Sequence, residues 1–495
     1  MRVLVTGGSG VVGSSTITAL LQRGHVVNLL SRHAERDARG WPHGVTAVTA
    51  DVSEPDSING LADGCDAVVH LAGIVEENPP DATFERLNVE GTRCVVREAE
   101  RAGVKRFVYV SSLGAARGSS SYHQSKRAAE EIVRGFSGET VVLRPGAVYG
   151  PGDEHLSVLL KLVRTSPVVP VIGDGSQRFQ PIWHEDAAEA IAASVERADL
   201  SGRTFELAGP DVTSTREVVD LLCELTDRSP VVAPVPQVLA SLGVKAAGML
   251  GIDAGVSESQ LEMLIEAYVI PGDAPNALTD VFGVQPTPLR VGLRRLLDVQ
   301  PEQPLSSGIG PLRAKRYWAD IRGASMGPDE LFALVRARFG QLMPSIVEAE
   351  AEPGTLSTIE PGVTLTLSLP ARGHVQVRVD ELDLPSRRFS LVTVDGHPLA
   401  GAVRFEVSVR GEAIRFEIQV YDRPATLADF VVMRAFGDAL QAIAWTRLVE
   451  NVMRASGGAG EVRHSSEALG DGEARAVERW AEEIVLARRR DESGI

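Results

Sequence analysis

Short apolar segments alternate with helix-length segments between residues 2 and 146 of the chain. Each segment is rich in valine or leucine, in the order RVLVTG, HVVNLLSR, GVTAVTADV, CDAVVHLAG, VKRFVYVSS and ETVVLRPG. Strands that are apolar on both sides occur in parallel sheets that helices cover on both faces. The pattern therefore predicts an α/β fold built on a Rossmann-type, doubly wound parallel sheet.

Beyond Thr213 the pattern changes to helical spacing. Three segments carry it, STREVVDLLCELT, SESQLEMLIEAYV and PLRVGLRRLL, and they predict a small helical substrate lobe that completes a first domain over residues 1–300. Residues 301–312, PEQPLSSGIGPL, are rich in proline, glycine and serine without periodicity. Such composition predicts a linker.

The remaining chain has the pattern of a second, separate domain. Residues 313–456 contain a strand, a helix, several alternating strands and a long apolar-striped segment from about Leu427 to Met453. This order predicts an α+β domain in which a curved sheet wraps a helix. Residues 457–495 are predicted to form a glycine-rich break followed by an amphipathic helix.

Composition excludes several classes of function. A formal net charge of −16 argues against a nucleic-acid-binding surface. The three cysteines, Cys65, Cys94 and Cys223, lie far apart, so we expect no metal site and a reduced, cytoplasmic compartment. We expect neither a signal peptide nor a transmembrane segment, because no apolar run approaches the roughly 18–20 residues that span a bilayer.

The segment VLVTGGSGVVG places four glycines directly after the first predicted strand. Gly8, Gly10 and Gly13 fit the spacing GxGxxG, whereas Gly7, Gly10 and Gly13 fit GxxGxxG. A glycine turn between a strand and a helix lets a pyrophosphate approach the helix N-terminus, so either spacing predicts nucleotide binding.

The end of the second predicted strand bears on the choice of cofactor. Ser31 and Arg32 stand where an NAD-binding domain carries an acidic residue for the ribose 2′-hydroxyl. An arginine can pair with a 2′-phosphate instead. NADP(H) is therefore favoured, and NAD(H) stays open.

Several motifs together resemble the extended and atypical short-chain dehydrogenases/reductases, a group that includes NAD-dependent epimerases and dehydratases. The motifs are TGGSGVVG, ADVSEPDSI, VVHLAG, LNVEGT, YVSS, YHQSK, LRPGAVYGPGD and PIWHEDAAEAI. The match of the first motif to TGxxGxxG selects the spacing that begins at Gly7. The resemblance implies that these residues bind the cofactor: Gly7, Gly10, Val11, Val12, Gly13, Ser31, Arg32, Asp51, Val52, Leu71, Ala72, Gly73, Asn88, Ser111, Lys126, Pro145 and Val148.

The same resemblance implies that Tyr122, Lys126 and Ser112 are catalytic. Tyr122 and Lys126 are four residues apart, which places them on one face of a helix. A phenol with a pKa near 10 is a poor base at neutral pH, and a nearby ammonium favours its ionised form. Ser112 would hold the substrate oxygen. The neighbouring His123 and the later His184 match no functional position and are expected to be structural.

One departure from the extended group leaves two functions open. Only nine residues separate Ser112 from Tyr122. This short spacing resembles the atypical branch, which includes the accessory-subunit relatives of respiratory complex I. The first hypothesis is an NADP(H)-dependent oxidoreductase or epimerase-like enzyme acting on a small molecule. The alternative is a non-catalytic NAD(P)(H)-binding sensor or assembly factor.

The second domain resembles the helix-grip superfamily, which includes START-like and polyketide-cyclase-like proteins. The similarity is greatest over RRFSLVTVDGHPLAGAVRFEVSVRGEAIRFEIQVYDRPATLADF, which is similar to a bacterial domain of undefined role. The resemblance implies a lipid or another hydrophobic ligand between the sheet and the long helix. The residues by themselves fit an ordinary apolar core equally well.

Overall fold

The computed structural model describes residues 1–41, 43–236, 268–272, 274–349, 352–354, 358–370, 373–432 and 438–493. The chain divides into two compact units. The first comprises Met1–Leu160, Val168–Leu222 and Val231–Leu297, and the second comprises Lys161–Pro167, Cys223–Pro230 and Asp298–Ile495. Most of the predicted helix SESQLEMLIEAYV, and with it much of the predicted substrate lobe, lies outside the described residues.

A seven-stranded parallel sheet forms the centre of the first unit. In chain order the strands up to residue 235 are β1 (Arg2–Thr6), β2 (Val26–Ser31), β3 (Val45–Thr49), β4 (Ala67–His70), β5 (Arg106–Val110), β6 (Glu139–Pro145), β7 (Val148–Tyr149), β8 (Val168–Ile172), β9 (Arg178–Phe179), β10 (Ile182–Trp183), β11 (Arg203–Leu207), β12 (Thr213–Ser214) and β13 (Val231–Val235). The large sheet has the order β11-β6-β5-β4-β1-β2-β3. The predicted Rossmann-type sheet is confirmed.

Helices cover both faces of this sheet. The helices up to residue 298 are α1 (Val11–Gln22), α2 (Ala34–Asp37), α3 (Pro55–Ile58), α4 (Gly91–Arg101), α5 (Ser121–Arg134), α6 (Leu156–Thr165), α7 (His184–Glu196), α8 (Thr215–Thr226), α9 (Ala277–Asp280) and α10 (Leu289–Asp298). One apolar core packs α1 and α7 against the sheet. A second core packs α4 and α5 against the opposite face. Burial on both faces explains why the strands contain so few polar residues.

The second unit contains an eight-stranded antiparallel sheet. Its strands are β14 (Arg313–Ile321), β15 (Glu348–Ala349), β16 (Thr364–Leu369), β17 (Gly373–Asp383), β18 (Arg388–Thr393), β19 (Leu399–Arg410), β20 (Ala413–Pro424) and β21 (Val462–Ala468). They are ordered β15-β16-β17-β18-β19-β20-β14-β21. The helices are α11 (Pro328–Ala337), α12 (Phe339–Leu342), α13 (Leu427–Val432), α14 (Asp438–Ala455) and α15 (Asp471–Ser493).

Aromatic rings pack between this sheet and α11, α12 and α14. Phe389 stacks on Phe405 with ring centroids 4.5 Å apart, and Phe339 meets both rings edge-on. On the other side of the sheet, Trp480 of α15 packs against Tyr421. The separate, mostly antiparallel domain agrees with the expected α+β class, whereas its membership in the helix-grip superfamily stays a prediction.

Residues 301–312 do not form the free linker that their composition predicts. They belong to the second unit, where Leu305 and Leu312 are buried in an apolar cluster with residues of the sheet and of α15. Glu302 also forms an isolated bridge with Val394. Burial of the two leucines fixes this segment within the second unit, although its proline and glycine content is typical of a linker.

The C-terminal part of the second unit differs from the prediction in two respects. Residues 457–495 contain a strand, β21, that pairs with β14. Its sequence VRHSSEA is mostly exposed and polar, so it carries no apolar signal. The helical segment from Leu427 is described as α13 and α14. Leu440 and Ile443, which were expected in the apolar stripe, are exposed, while Ala444 and Leu448 are buried.

Within the described part of the chain, no helix is both long enough and apolar enough to cross a membrane. The same residues contain no group of three or more histidine, cysteine, aspartate or glutamate side chains arranged to hold a metal ion.

Candidate active site

The structure brings the residues of the predicted cofactor site to one edge of the parallel sheet. Gly7 follows β1, Ser31 ends β2 and precedes Arg32, Asp51 and Val52 follow β3, Leu71–Gly73 follow β4, Ser111 and Ser112 follow β5, Pro145 ends β6, and Val148 begins β7. The strand order reverses between β1 and β4. In open α/β sheets, ligands bind outside the carboxyl ends of the strands at this reversal.

Close backbone packing requires glycine at two of the three glycine positions of the TGxxGxxG motif. Gly7 has a φ of 73°, and a Cβ there would lie 2.6 Å from the backbone nitrogen of Ala72. A Cβ on Gly13 would collide with the Gly7 carbonyl oxygen. Gly10 differs, because its Cβ would meet only the Gly7 oxygen, at 3.6 Å, among the described atoms. The glycine of the alternative spacing, Gly8, packs against apolar side chains of β2 and α1.

The start of α1 fits a pyrophosphate. Gly10 precedes the helix in an extended conformation and has no side chain to cap the first turn. The first turn contains Val11, Val12 and Gly13 and no acidic residue. Backbone N–H groups and the positive end of the helix dipole therefore face the space above Gly10, where an anion is stabilised.

Helix α5 carries the predicted Tyr122 and Lys126. The hydroxyl of Ser112, from the end of β5, acts on the Tyr122 phenol in the direction that lowers its pKa. The ammonium of Lys126 donates to the carbonyl oxygen of Val110, at 3.0 Å. The three predicted catalytic residues are thus assembled from a strand end and one helix face.

Asn88 connects the loop after β4 to α5. It lies in a π-helical segment, Glu85–Glu90, that continues into α4. Its amide oxygen accepts from the backbone N–H of Ile74 at 2.8 Å, and its amide nitrogen donates to the Ser125 hydroxyl at 3.0 Å. A Cβ on Gly73 would lie 3.6 Å from the Lys126 ammonium. Asn88 therefore holds the loop of Leu71–Gly73 against the helix that bears Lys126.

Sequence reasoning missed Glu130, which completes the face of α5 that carries Tyr122 and Lys126. Its buried carboxylate accepts hydrogen bonds from Arg144, at 2.8 and 2.6 Å, and from the Ser111 hydroxyl, at 2.6 Å. Ser111 is thereby directed away from Tyr122, which leaves Ser112 as the serine at the phenol. The spacing of four residues from Lys126 was a signal that could have identified Glu130.

Burial controls the protonation of the catalytic candidates. Burial raises the pKa of Tyr122 to about 12, although the hydrogen bond from Ser112 acts in the opposite direction. Burial lowers the pKa of Lys126 to about 8, and the negative charge of Glu130 opposes this shift. For Glu130, burial raises the pKa, but hydrogen bonds from Arg144 and Ser111 outweigh burial and lower it overall. Perturbed titratable groups that share one cleft are typical of active sites.

The lowered pKa of Lys126 predicts a variant that is more stable but inactive. The charged, buried amine destabilises the folded state below pH 8, and this penalty disappears as pH rises from 8 toward the unfolded pKa near 10.5. At pH 7 we expect Lys126→Met to raise the free energy of unfolding by about 1–3 kcal/mol. Urea denaturation at pH 7 and pH 10 measures the effect. A gain that does not shrink at pH 10 would contradict this origin.

A second residue that sequence reasoning missed is Asp37 of α2, which contacts the end of β2. The Asp37 carboxylate accepts a hydrogen bond from the Ser31 hydroxyl at 2.6 Å and also pairs with the Arg36 guanidinium at 3.0 Å. The absence of an acidic residue at Ser31–Arg32 in the sequence therefore does not mean that no acidic group is nearby. Asp37 comes from α2, six residues beyond Ser31, and the strand-end pattern gives no indication of it.

Two regions of the chain match known families. Residues 3–208 match the NAD dependent epimerase/dehydratase family. Residues 339–451 match a domain of unknown function, DUF1990. The second match agrees with the predicted similarity of this region to a domain of undefined role.

Several curated relatives match part of the chain. Ceramide reductase of Caulobacter vibrioides is 37% identical over 192 residues, which cover 39% of this chain and 60% of that protein. Mouse NADH dehydrogenase [ubiquinone] 1 alpha subcomplex subunit 9, mitochondrial, is 29% identical over 249 residues, which cover 50% of this chain and 65% of that protein. The 3-beta-hydroxysteroid dehydrogenase of Mycolicibacterium neoaurum is 32% identical over 184 residues, which cover 31% and 50%.

The chain thus spans less than two thirds of the length of each of these relatives. Its N-terminal part matches the epimerase/dehydratase family over residues 3–208, and the relatives that it resembles include a reductase and a dehydrogenase. These findings agree with the predicted resemblance to NAD-dependent epimerases and dehydratases. They also agree with the predicted resemblance to accessory-subunit relatives of respiratory complex I.

Proposed function

We propose that the first unit is an NAD(P)(H)-dependent oxidoreductase that interconverts a carbonyl and a hydroxyl group on an apolar small molecule. The observation that carries this proposal is the position of Tyr122 and the buried Lys126 on one face of α5, with the Lys126 ammonium hydrogen-bonded to Val110 at the end of β5 that leads into Ser112. The names of two relatives, a ceramide reductase and a 3-beta-hydroxysteroid dehydrogenase, support the apolar substrate class.

Each catalytic residue has a distinct task in this proposal. Tyr122 exchanges a proton with the substrate oxygen, and the Ser112 hydroxyl donates a hydrogen bond to that oxygen. Lys126 stabilises the phenolate form of Tyr122 and reaches the ribose of the cofactor, while Glu130 helps to keep the Lys126 amine protonated. The nicotinamide, when bound, supplies or accepts the hydride. The backbone at Gly7, Gly10 and Gly13 holds the pyrophosphate.

A substrate panel tests this function. The full chain is incubated with NADPH or NADH and with 3-oxo derivatives of sphingoid lipids, steroids, small ketones and keto nucleotide sugars, and oxidation of the reduced cofactor is followed at 340 nm. We expect turnover with apolar ketones. Turnover confined to nucleotide sugars would retain the catalytic residues and overturn the substrate class.

The similarity to a subunit of NADH dehydrogenase supports a second candidate function. In this alternative the first unit binds NAD(P)(H) without turnover and acts as a sensor or an assembly factor. The matched region of that relative is longer than that of the ceramide reductase. Tight cofactor binding without hydride transfer to any compound of the panel would favour the alternative.

We infer that the cofactor is preferentially NADP(H), because the Arg32 guanidinium beside the end of β2 is more exposed than the Asp37 carboxylate. Arg32 is exposed, whereas the Asp37 side chain is only 8% exposed and is engaged by Ser31 and Arg36. A carboxylate that is already paired offers a weaker acceptor to a ribose hydroxyl than a free one.

Two matched variants test the cofactor preference. We expect Arg32→Ala to weaken NADPH binding about 10- to 100-fold and NADH binding less than about threefold, since it removes a charge-assisted contact to the 2′-phosphate. Asp37→Asn should leave NADPH affinity unchanged or improve it. Calorimetric titration measures both. Equal losses for the two cofactors in Arg32→Ala would refute the preference.

For the second unit we propose a hydrophobic ligand bound between the sheet and α14. Trp445 supports this idea, because its partly buried indole N–H has no hydrogen-bond partner among the described atoms, and it packs on Phe405 at 5.9 Å. A buried indole N–H usually has an acceptor. Native mass spectrometry of the purified chain is expected to detect a co-purifying apolar molecule that Trp445→Phe binds less tightly. The proposal would be refuted if a gently purified sample showed only the mass of the chain itself and if the chain bound none of the lipids added to it.

A further inference from the structure

The imidazole of His123 is buried beside the candidate active site, although no proposed step uses it. Its side chain directly follows Tyr122 on α5, and the centroids of the two rings lie 4.9 Å apart in an edge-on arrangement. The ring nitrogen Nδ1 lies 2.7 Å from the Ser120 hydroxyl oxygen and 2.9 Å from the Tyr268 hydroxyl oxygen. The residue is 2% exposed.

The short loop between Ser112 and Tyr122 is wrapped around this ring. A Cβ on Gly114 would collide with Nε2 of His123, and a Cβ on Gly118 would lie 2.9 Å from Nδ1. Glycine at these two positions thus makes room for the imidazole. The loop begins at Ser112 and ends at Tyr122, so the volume and polarity of the ring set the separation of the two catalytic candidates.

Tyr268 contacts the ring from a segment of the first unit that is distant in sequence. Its carbonyl oxygen accepts from the backbone N–H of Gln180 at 3.2 Å, and it forms a bridge with Phe179. Two residues further on, Ile270 packs with Leu113 in an apolar cluster. The backbone of Tyr268 is therefore anchored independently of His123, and its hydroxyl forms a fixed partner for the imidazole.

We propose that His123 is a positioning residue that fixes the loop between Ser112 and Tyr122, and with it the placement of these two side chains, and is itself held in place by Tyr268. This proposal rests on the proposed function of the first unit. An imidazole that only fills apolar volume would be replaceable by any side chain of similar size. An imidazole that positions the loop through Nδ1 would be replaceable only by a side chain with a polar atom at that place.

Asparagine and leucine separate these two roles. Both side chains branch at Cγ, but only asparagine places a hydrogen-bonding atom close to the position of Nδ1. We expect His123→Leu to lower kcat about 10- to 100-fold with KM and cofactor Kd within about threefold, because displaced catalytic groups slow the chemical step. His123→Asn should retain at least about a third of the kcat of the original chain. Tyr268→Phe should show an intermediate loss.

A second measurement does not depend on turnover. The ionisation of Tyr122 is followed by its absorbance at 295 nm in the chain saturated with oxidised cofactor, as the difference from Tyr122→Phe. The positive charge of the oxidised nicotinamide would favour the phenolate and lower the pKa of Tyr122 from its value in the free chain, and displacement of Ser112 should raise this lowered pKa by about one unit in His123→Leu and by less than about 0.3 in His123→Asn. Circular dichroism and thermal unfolding verify that each variant is folded.

The two measurements separate the failure of this proposal from failure of the proposed function. If His123→Leu and His123→Asn have the same kcat and the same Tyr122 titration, His123 is only a packing residue and the proposal is overturned. If the original chain transfers no hydride but His123→Leu alone shifts the titration of Tyr122, the positioning role stands and the proposed reaction fails.

Discussion

Replacement of Tyr122 by phenylalanine is expected to reduce kcat about 1,000-fold or more and to leave the Kd of NAD(P)H within about twofold. The substitution removes one oxygen atom, that of the phenol whose pKa the neighbouring Ser112 hydroxyl lowers and which we propose exchanges the proton. The ring keeps its packing against Phe84, at 5.9 Å, and His123, so the variant should fold normally. Steady-state kinetics on a substrate identified from the panel, together with cofactor titration, measure the two effects separately.

Tyr421→Phe is the matched control for this prediction. Tyr421 also loses a phenol hydroxyl, one that donates to Gln419 within the second unit, and plays no part in the proposed reaction. Its kcat should stay within about twofold of the original value, as expected for a change outside the catalytic site. If Tyr122→Phe kept a tenth or more of the activity, another group would have to exchange the proton.

The second large effect is expected from Gly10→Ala. A methyl group on Gly10 meets no described atom closer than 3.6 Å, so the chain should fold with nearly unchanged stability. The methyl group would, however, occupy the space above the N-terminus of α1 that we assign to the pyrophosphate. We expect the affinity for NAD(P)H to fall by about 100-fold or more, because the phosphate oxygens lose their close approach to the backbone N–H groups.

Two other glycines make this prediction specific. Gly13→Ala should lose cofactor affinity and also stability, since its Cβ would collide with the Gly7 carbonyl oxygen. Gly40→Ala should change neither, because a Cβ there meets no described atom within 4 Å. Fluorescence titration with NADPH and thermal unfolding distinguish the three variants. Unchanged affinity in a folded Gly10→Ala variant would place the pyrophosphate elsewhere.

The parallel sheet could be predicted from sequence because its physical cause is local. Strands buried on both faces require continuous apolar segments such as those of β1 and β4. A crossover to a parallel neighbour usually requires an intervening helix. The glycine turn is equally local, since a positive φ at Gly7 and close packing at Gly13 exclude other residues. Strand β21 lacks such a signal, because it pairs through its backbone and exposes its polar side chains.

The candidate site could be predicted as a set of residues but not as a set of contacts. The spacing of Tyr122 and Lys126 places them on one helix face, whereas the engagement of Ser111 by Glu130 depends on where β5 ends relative to α5. The pairing of Ser31 with Asp37 likewise depends on the turn between β2 and α2. No sequence pattern distinguished His123 from an ordinary structural histidine. The residues that surround its ring, Gly114, Gly118 and Tyr268, come together only in the folded chain.

The central claim is that the first unit catalyses hydride transfer between the nicotinamide cofactor and a carbonyl carbon, with Tyr122 as the group that gives the proton to the carbonyl oxygen. The most direct test is a single-turnover reaction between the chain loaded with reduced nicotinamide cofactor that carries deuterium at both C4 positions and an excess of a 3-oxo sphingoid lipid, with mass spectrometry of the product. The account predicts an alcohol that carries one deuterium from the original chain, and none above background from Tyr122→Phe. Tight cofactor binding without deuterium transfer to this or any other ketone would contradict it and favour the non-catalytic alternative.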